Sequence, residues 1–255
     1  MIFYIRIADI NIRISARYKK IFDICREYII YPTKDTIISL HIDISTNDIL
    51  LEENNMQENV WKEEKMHRSY DPALLEAVAV HRKIATALPL YDTFLMHGSV
   101  VAYKDKGYMF TAASGVGKTT RSLLWLNEFP GSFIVNGDKP FIQVRNNSVY
   151  AYGSPWAGKE NYSTNTSVPL HVVFFLERLE EGESDSLIEL GRDEVLSKML
   201  THCFKPNDMY TFKRTVLLLA KMQKHVKFYR FCSSPTTESI RMAWESVNNT
   251  VSRFE

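Results

Sequence analysis

Residues 107–121, Gly-Tyr-Met-Phe-Thr-Ala-Ala-Ser-Gly-Val-Gly-Lys-Thr-Thr-Arg, combine three patterns in a fixed order. Tyr108–Ala112 is an apolar run typical of a buried strand, and a loop of small residues follows it. The loop ends in Gly117-Lys118-Thr119, and Thr120–Glu128 is typical of a helix. A strand that enters a helix through a glycine-rich loop favours an α/β architecture.

The loop also has the composition of a phosphate-binding loop. Small residues let backbone N–H groups curve around an anion, and the following helix directs its positive end to the same place. Lys118 would contact the β- and γ-phosphates of ATP, and the Thr119 hydroxyl would ligate Mg²⁺. The predicted nucleotide-binding residues are Ala113, Ser114, Gly115, Val116, Gly117, Lys118, Thr119 and Thr120. The general sequence pattern of phosphate-binding loops has glycine at the position of Ala112. The alternative interpretation is a strand-to-helix turn that binds nothing.

Composition is that of an ordinary globular protein. The chain has 255 residues, 45% hydrophobic and 24% charged, with a net charge of +1. The small net charge gives no indication of a nucleic-acid or membrane partner. Three widely spaced cysteines form neither a disulfide framework nor a metal-binding pattern, and the first residues lack the features of a signal peptide. We therefore expect a cytoplasmic protein.

The segment before the loop predicts a small α+β subdomain over residues 1–70. Strands are expected at Ile2–Ile7, Ile10–Ile14 and Thr36–Asp43, with a helix over Arg17–Tyr28. The segment Leu51–His67 is polar and rich in acidic residues, which favours a solvated, mobile connection.

The core is predicted to cover residues 71–255. Asp71-Pro72 has the pattern of a helix start, with an acidic cap followed by proline. Further strands are expected at Phe94–Tyr103, Ser132–Asn136, Phe141–Arg145, Ser148–Tyr152, His171–Leu176 and Val226–Phe231. Further helices are expected at Arg192–Cys203, Asn207–Lys224 and Thr236–Val247. Glu177–Glu189 is acidic and expected to be exposed.

An acidic residue stands where a nucleotide site would need one. The strand-like run before Asn136-Gly137-Asp138 ends about twenty residues after Lys118. The Asp138 carboxylate could hold Mg²⁺ or accept the proton of an attacking hydroxyl. A solvated turn is the alternative, because Asn-Gly-Asp is a common turn sequence.

Other segments offer weaker candidates. His97, in Met96-His97-Gly98-Ser99, could take part in proton transfer or serve as a structural hydrogen-bonding residue. The loop at 152–160 contains Trp156 and Lys159, which could contact a substrate or form a rigid turn. Arg121 could face a nucleotide, although a solvated helix charge is the simpler interpretation. The basic residues between 205 and 231 could dock an acidic partner or form a solvated helix face.

Together these segments resemble the kinase core of HPr kinase/phosphorylase and of ATP-dependent phosphoenolpyruvate carboxykinase. Met96–Ser99 resembles a His-containing strand of that superfamily, residues 113–119 its Ser-Gly-x-Gly-Lys-Ser/Thr loop, and residues 134–138 its acid-bearing strand. The chain is also similar to small HPr-kinase-like proteins with a His-Gly-Ser strand, an Asp-Lys-Pro segment and a Pro-Trp-x-Gly-Lys loop. These correspond to 97–99, 138–140 and 155–159, and the resemblance covers roughly residues 73–180.

The resemblance implies a P-loop kinase core with a mixed sheet flanked by helices, which uses ATP and Mg²⁺. It implies transfer of the γ-phosphoryl group to a hydroxyl, with a serine of a peptide or small protein as acceptor. Asp138, His97 and Lys118 would be catalytic, and Thr119 and Asp138 would hold the metal. The family's Asp-Asp pair is Gly137-Asp138 here, which leaves open a nucleotide-binding regulatory protein without turnover. A small-molecule serine or alcohol is the alternative acceptor. The resemblance also implies that the chain could form a homo-oligomer, because HPr-kinase relatives assemble into rings.

Overall fold

The computed structural model describes residues 1–64, 69–180 and 182–249. By their contacts the residues divide into two units, Met1–Tyr91 and Asp92–Glu255. This division falls about twenty residues after the predicted boundary at residue 70. The helix that begins at Pro72 packs on helices of the first unit, so it belongs with them. No helix within the described ranges is long and apolar enough to cross a membrane.

The first unit is a four-stranded sheet with three α-helices. Its elements are β1 (Ile2–Ile7), β2 (Ile10–Ser15), α1 (Lys19–Ile24), β3 (Ile29–Ile30), β4 (Leu40–Asp43), α2 (Thr46–Glu64) and α3 (Pro72–Ala87). The strand order is β3-β1-β2-β4. The Asp71 carboxylate accepts the Ala73 N–H at 2.9 Å and caps α3, which confirms the predicted helix start. Helix α1 and strand β4 are shorter than predicted.

The predicted mobile connection at 51–67 is wrong as far as residue 64, and residues 65–67 lie outside the description. Helix α2 covers this segment because Ser45 and Asp48 cap it reciprocally: the Asp48 N–H donates to Ser45 Oγ and the Ser45 N–H to the Asp48 carboxylate. Ion pairs then join it to α3, Lys83 Nζ to Asp48 at 2.7 Å and Arg82 to Glu52.

The second unit is a nine-stranded mixed sheet with helices on both faces. Its strands are β5 (Thr93–Leu95), β6 (Ser99–Tyr103), β7 (Lys106–Thr111), β8 (Phe133–Asn136), β9 (Phe141–Arg145), β10 (Ser148–Tyr152), β11 (Ser167–Glu177), β12 (Ser186–Glu189) and β13 (Lys227–Cys232). The main order is β5-β9-β10-β11-β7-β6-β8, and β13 pairs with β11 and β12. The expectation of a mixed α/β sheet flanked by helices is met.

Four helices cover the two faces of this sheet: α4 (Lys118–Glu128), α5 (Arg192–His202), α6 (Met209–Met222) and α7 (Thr237–Asn249). Helices α5 and α6 contribute to one apolar cluster, with Met199 and Leu219 fully buried. Helices α4 and α7 contribute to the other, in which Trp125 and Ile240 are fully buried. Strands β7, β11 and β13 are parallel, so their carboxyl ends share one edge of the sheet.

Strand β12 lies within the segment expected to be exposed and acidic. Ser186–Glu189 pairs antiparallel with β13, from Ser186 opposite Cys232 to Glu189 opposite Tyr229. The residues on this edge strand are half-buried or exposed, so a predominantly polar sequence still adds a strand through backbone hydrogen bonds.

Candidate functional site

The predicted strand, loop and helix are present at the carboxyl end of β7. The strand ends at Thr111, and α4 begins at Lys118 after six loop residues. Gly115 and Gly117 have φ values of +78° and +106°, a region that favours glycine. Residues 113–115 are exposed, so the loop presents its backbone to solvent at the amino end of a helix.

Lys118 spans the loop from its end to its beginning. Its Nζ donates a hydrogen bond to the Ala112 carbonyl at 3.2 Å. Partial burial lowers the pKa of the ammonium group, the Asp138 carboxylate opposes this change, and Lys139 adds to it. The electrostatic interaction between Lys118 and Asp138 places the two predicted site residues near each other.

Two buried contacts fix α4. Ser122 Oγ lies 2.7 Å from Ser99 Oγ and joins the helix to β6. The Arg121 guanidinium donates to the Ser233 carbonyl at 2.5 Å and to Ser233 Oγ at 3.2 Å, at the end of β13. Arg121 is only 5% exposed. The interpretation of Arg121 as a solvated helix charge is therefore wrong, because its head group is used inside the fold.

Three hydrogen bonds hold the backbone of His97 and Gly98 in place. The His97 N–H donates to the His202 carbonyl at 2.7 Å, and the Gly98 N–H donates to the Asp138 carbonyl at 2.9 Å. The His97 carbonyl accepts from Thr111 Oγ1, the last residue of β7, at 2.7 Å. These bonds bring the start of β6, the end of β7 and the turn after β8 to one place.

The charged groups of the candidate site gather around the Asp138 carboxylate. His97 Nε2 lies 3.2 Å from its Oδ1, and Lys139 Nζ contacts its Oδ2. Burial alone would raise the pKa of this carboxyl, but the hydrogen bonds and charges of His97 and Lys139 outweigh burial and hold the pKa well below its usual range. The carboxylate is thus ionised at neutral pH, which favours cation binding and makes it a weak base.

The turn around Asp138 is built by Asn136, a residue that sequence reasoning did not single out. Asn136 Oδ1 accepts the N–H groups of Asp138 at 2.9 Å and Lys139 at 2.7 Å. Its amide donates to the Ser154 carbonyl at 3.0 Å, and Ser154 Oγ donates to the Lys139 carbonyl at 2.7 Å. The Asn-Gly-Asp sequence therefore encodes both a turn and its fixed attachment to the loop that follows β10.

The structure also explains glycine at position 137. A Cβ added there would lie 3.2 Å from the Ala157 carbonyl oxygen and 3.4 Å from Tyr162 Cβ. The Gly137 N–H donates to the Tyr162 carbonyl at 2.8 Å. A side chain at this position would thus lie in close contact with carbonyl oxygens, so an acid there requires its neighbours to shift by a few tenths of an ångström.

The loop with Trp156 and Lys159 lies against the same turn. Gly158 adopts a φ of +80°, and a Cβ there would lie 3.1 Å from Asp138 Cβ. The Trp156 ring lies 6.1 Å from that of Phe141 on β9, so the indole packs on the sheet while remaining partly accessible. Lys159 is exposed. The loop is thus next to Asp138, and the roles of Trp156 and Lys159 as substrate contacts stay predictions.

His202 is a further residue of the site that the sequence did not reveal. It ends α5, and its backbone carbonyl holds His97. Burial, followed by the charges of His97, Lys118 and Lys198, lowers its pKa to about 4, so the imidazole is neutral at pH 7. A histidine 105 positions from its partner in the sequence carries no local signal of this contact.

The predicted metal ligands are suited to Mg²⁺. Thr119 in the first turn of α4 and the ionised Asp138 supply oxygen donors, which Mg²⁺ prefers together with phosphate and water oxygens. Within residues 1–64, 69–180 and 182–249, no group of three or more His, Cys, Asp or Glu side chains could hold a metal ion. These residues would therefore bind the ion with a nucleotide and not as a protein-only site.

Comparisons with known proteins find similar chains among solved structures. No family model and no curated protein matches the chain. Among solved structures, the Hpr(Ser) kinase/phosphatase from Coxiella burnetii matches at 10% identity and a TM-score of 0.35, over 62% of this chain and 95% of that one. At this identity and TM-score, the likeness is distant and assigns neither a family nor an activity to this chain.

Proposed function

We propose that this protein is an ATP-dependent kinase that transfers the γ-phosphoryl group to a hydroxyl, with a serine of a peptide or small protein as acceptor. One observation carries the proposal. The glycine-rich loop with Lys118 and the ionised Asp138 with its His97 partner converge at one edge of the sheet, although they lie on three different strand ends.

The loop residues would bind the phosphates. Backbone N–H groups of residues 113–120 and the Lys118 ammonium would hold the transferring phosphoryl group and stabilise its charge. Thr119 and Asp138 would hold Mg²⁺, which neutralises phosphate charge when bound. Positioning and fixed charge supply most of the rate in this type of reaction, since the protein forms no covalent bond with the phosphoryl group.

The proton of the acceptor hydroxyl would leave to the His97–Asp138 pair. The pKa of Asp138 is so low that the carboxylate alone is a poor base at neutral pH. Its contact with His97 Nε2 orients the imidazole, so the pair offers two acceptor groups within one hydrogen-bonded unit. The hydroxyl oxygen then bonds the γ-phosphorus as the bond to ADP breaks, and the pair retains the proton.

A nucleotide-binding regulatory protein without turnover is the second candidate. Glycine at position 137 supplies no second acid, and both Asp138 oxygens already contact cationic or imidazole groups. A small-molecule serine or alcohol as acceptor is the remaining alternative within the kinase class.

Phosphoryl transfer is the test that separates these candidates. γ-Labelled ATP with Mg²⁺ is incubated with the wild type or Asp138→Asn, a pool of serine peptides, free serine and simple alcohols. Label in peptides with the wild type, and a loss of at least about 100-fold with Asp138→Asn while ATP still binds, is the expected result. Nucleotide binding without transfer to any acceptor would favour the regulatory candidate.

A further inference from the structure

A cavity of about 500 Å³ lies at the same edge of the sheet as the glycine-rich loop. It is lined by the end of β11, the following loop, β12 and β13, through residues that include Glu177, Arg178, Glu180, Glu183, Ile188 and Arg230. None of the site residues predicted from the sequence contributes to it. The acidic segment after β11 is thus one wall of a cavity.

The sheet register fixes where this cavity opens. Phe175 on β11 pairs with Thr111, the last residue of β7, and Glu177 pairs with Cys232 on β13. Glu177 therefore stands at the carboxyl edge beside the start of the loop at Ala112. Crevices outside the carboxyl ends of parallel strands are where α/β sheets bind their ligands.

The lining determines the chemistry of the ligand. Three carboxylates face two guanidinium groups. Arg230 is already paired, with Glu194 at 2.5 Å and Glu177 at 3.5 Å, and Glu177 is also paired with Lys198 at 2.7 Å. Among the described lining residues this leaves the carboxylates of Glu180 and Glu183 with the single guanidinium of Arg178. Negative charge is therefore in excess, and the described lining residues include no aromatic side chain that could stack on a nucleobase. These features favour a cationic group over the nucleoside of ATP.

Helix α5 connects the cavity with the candidate catalytic pair, so its length gives the distance between them. Glu194, Lys198 and His202 lie four residues apart, so they share one face of the helix. Glu194 binds Arg230 of the cavity, Lys198 binds Glu177 at 2.7 Å, and the His202 carbonyl accepts the His97 N–H. Eight residues of helix span about 12 Å. An extended peptide covers that length in three to four residues.

We propose that this cavity binds a lysine or arginine side chain of the acceptor peptide, three or four residues away from the serine that is phosphorylated. This inference rests on the proposed kinase function and adds the recognition of its acceptor. A cationic group held at this distance from His97 would align the hydroxyl of a peptide, whereas free serine is too short to reach both places.

Equilibrium binding tests the cavity without requiring turnover. Fluorescein-labelled nine-residue alanine peptides carry one serine and either a lysine or a glutamate three residues from it, and anisotropy measures their affinity for the full chain. The lysine peptide should bind about tenfold more tightly than the glutamate peptide. Glu180→Lys/Glu183→Lys should abolish or reverse this preference, and Glu53→Lys/Glu58→Lys, with the same charge change on α2 of the first unit, should keep it.

Equal affinity of the wild type for both peptides, or a preference that survives Glu180→Lys/Glu183→Lys, would overturn the proposal. Thermal unfolding of each variant shows whether a lost preference reflects a lost fold, and the single change Glu180→Lys then serves in place of the double variant. In the transfer assay, kcat/KM should be highest with the lysine three or four residues from the serine and fall when it is one or eight residues away. Failure of the kinase proposal would remove the transfer signal but leave the binding preference measurable.

Discussion

Gly98→Ala should destabilise the second unit and disturb the candidate site together. A Cβ at position 98 would overlap Met109 Cε and lie 2.9 Å from the Phe110 carbonyl oxygen. Met109 Cε is the end of a flexible side chain, whereas the Phe110 carbonyl belongs to the backbone of β7 and cannot yield without moving the strand. Relief requires a shift of roughly half an ångström, and overpacking of this kind costs about 1–3 kcal/mol.

The shift would also affect His97. The Gly98 N–H bonds the Asp138 carbonyl, and the preceding residue contacts the Asp138 carboxylate. A displacement of about 1 Å in a reacting group can lower a rate about 100-fold. We therefore expect Gly98→Ala to lower phosphoryl transfer more than nucleotide binding, because the loop at 113–119 is not part of the overlap.

Urea unfolding followed by tryptophan fluorescence measures the cost. Gly191→Ala is the control, since a Cβ at position 191 meets nothing within 4 Å; because Gly191 is the N-cap of α5, the change should cost no more than about 1 kcal/mol. Equal unfolding free energies for Gly98→Ala and Gly191→Ala would refute the close approach of this segment to β7.

Three further predictions concern the same region. Ser122→Ala leaves the buried Ser99 hydroxyl without this partner and should lower the free energy of unfolding by about 1–2 kcal/mol. The double variant Ser99→Ala/Ser122→Ala should lower it by less than the sum of the single changes, and additive costs in a double-mutant cycle would contradict the contact. Gly137→Asp should lower the free energy of unfolding by about 2 kcal/mol more than Gly137→Ala, because its carboxylate meets the Ala157 carbonyl; equal unfolding midpoints would show that the space can open. The depressed pKa of Asp138 means that its ionised form stabilises the fold above its unfolded pKa of about 3.9, and that this contribution is lost as the pH falls through the folded pKa. The stability difference between wild type and Asp138→Asn should thus narrow as the pH falls below about 4, and a difference at pH 3 equal to that at pH 5 would contradict the assignment.

Local patterns in the sequence predicted the elements whose signals are self-contained. The strand, loop and helix around Lys118, the Asp71-capped helix and the β9–β10 hairpin each contain their own start or turn residues, and all are found. The Ser45-x-x-Asp48 cap of α2 is itself a local start signal, but the acidic composition of the following segment points away from a helix. The ion pairs that hold α2 depend on α3, a partner in space. An acidic composition alone does not reveal such partners.

The candidate site shows the same division. His97 and Asp138 could be proposed from their neighbours in sequence, and the structure brings their side chains to 3.2 Å. The turn that Asn136 forms could be read from Asn-Gly-Asp, but its attachment to Ser154 could not, and His202 acts through a backbone carbonyl that leaves no motif. Arg121 stands beside the loop in sequence, but its partner Ser233 is 112 residues away, which composition cannot indicate.

Calorimetric titration of ATP with Mg²⁺ into the wild type and Lys118→Ala tests the central claim, that residues 113–119 bind nucleotide phosphate. Lys224→Ala removes the same charge from an exposed position after α6 and serves as the control. We predict saturable binding by the wild type and the control, and a 10- to 100-fold weaker affinity for Lys118→Ala, as expected for about 1.5–3 kcal/mol from a charged hydrogen bond. Absence of binding by the wild type, or equal affinity of all three proteins, would contradict the account.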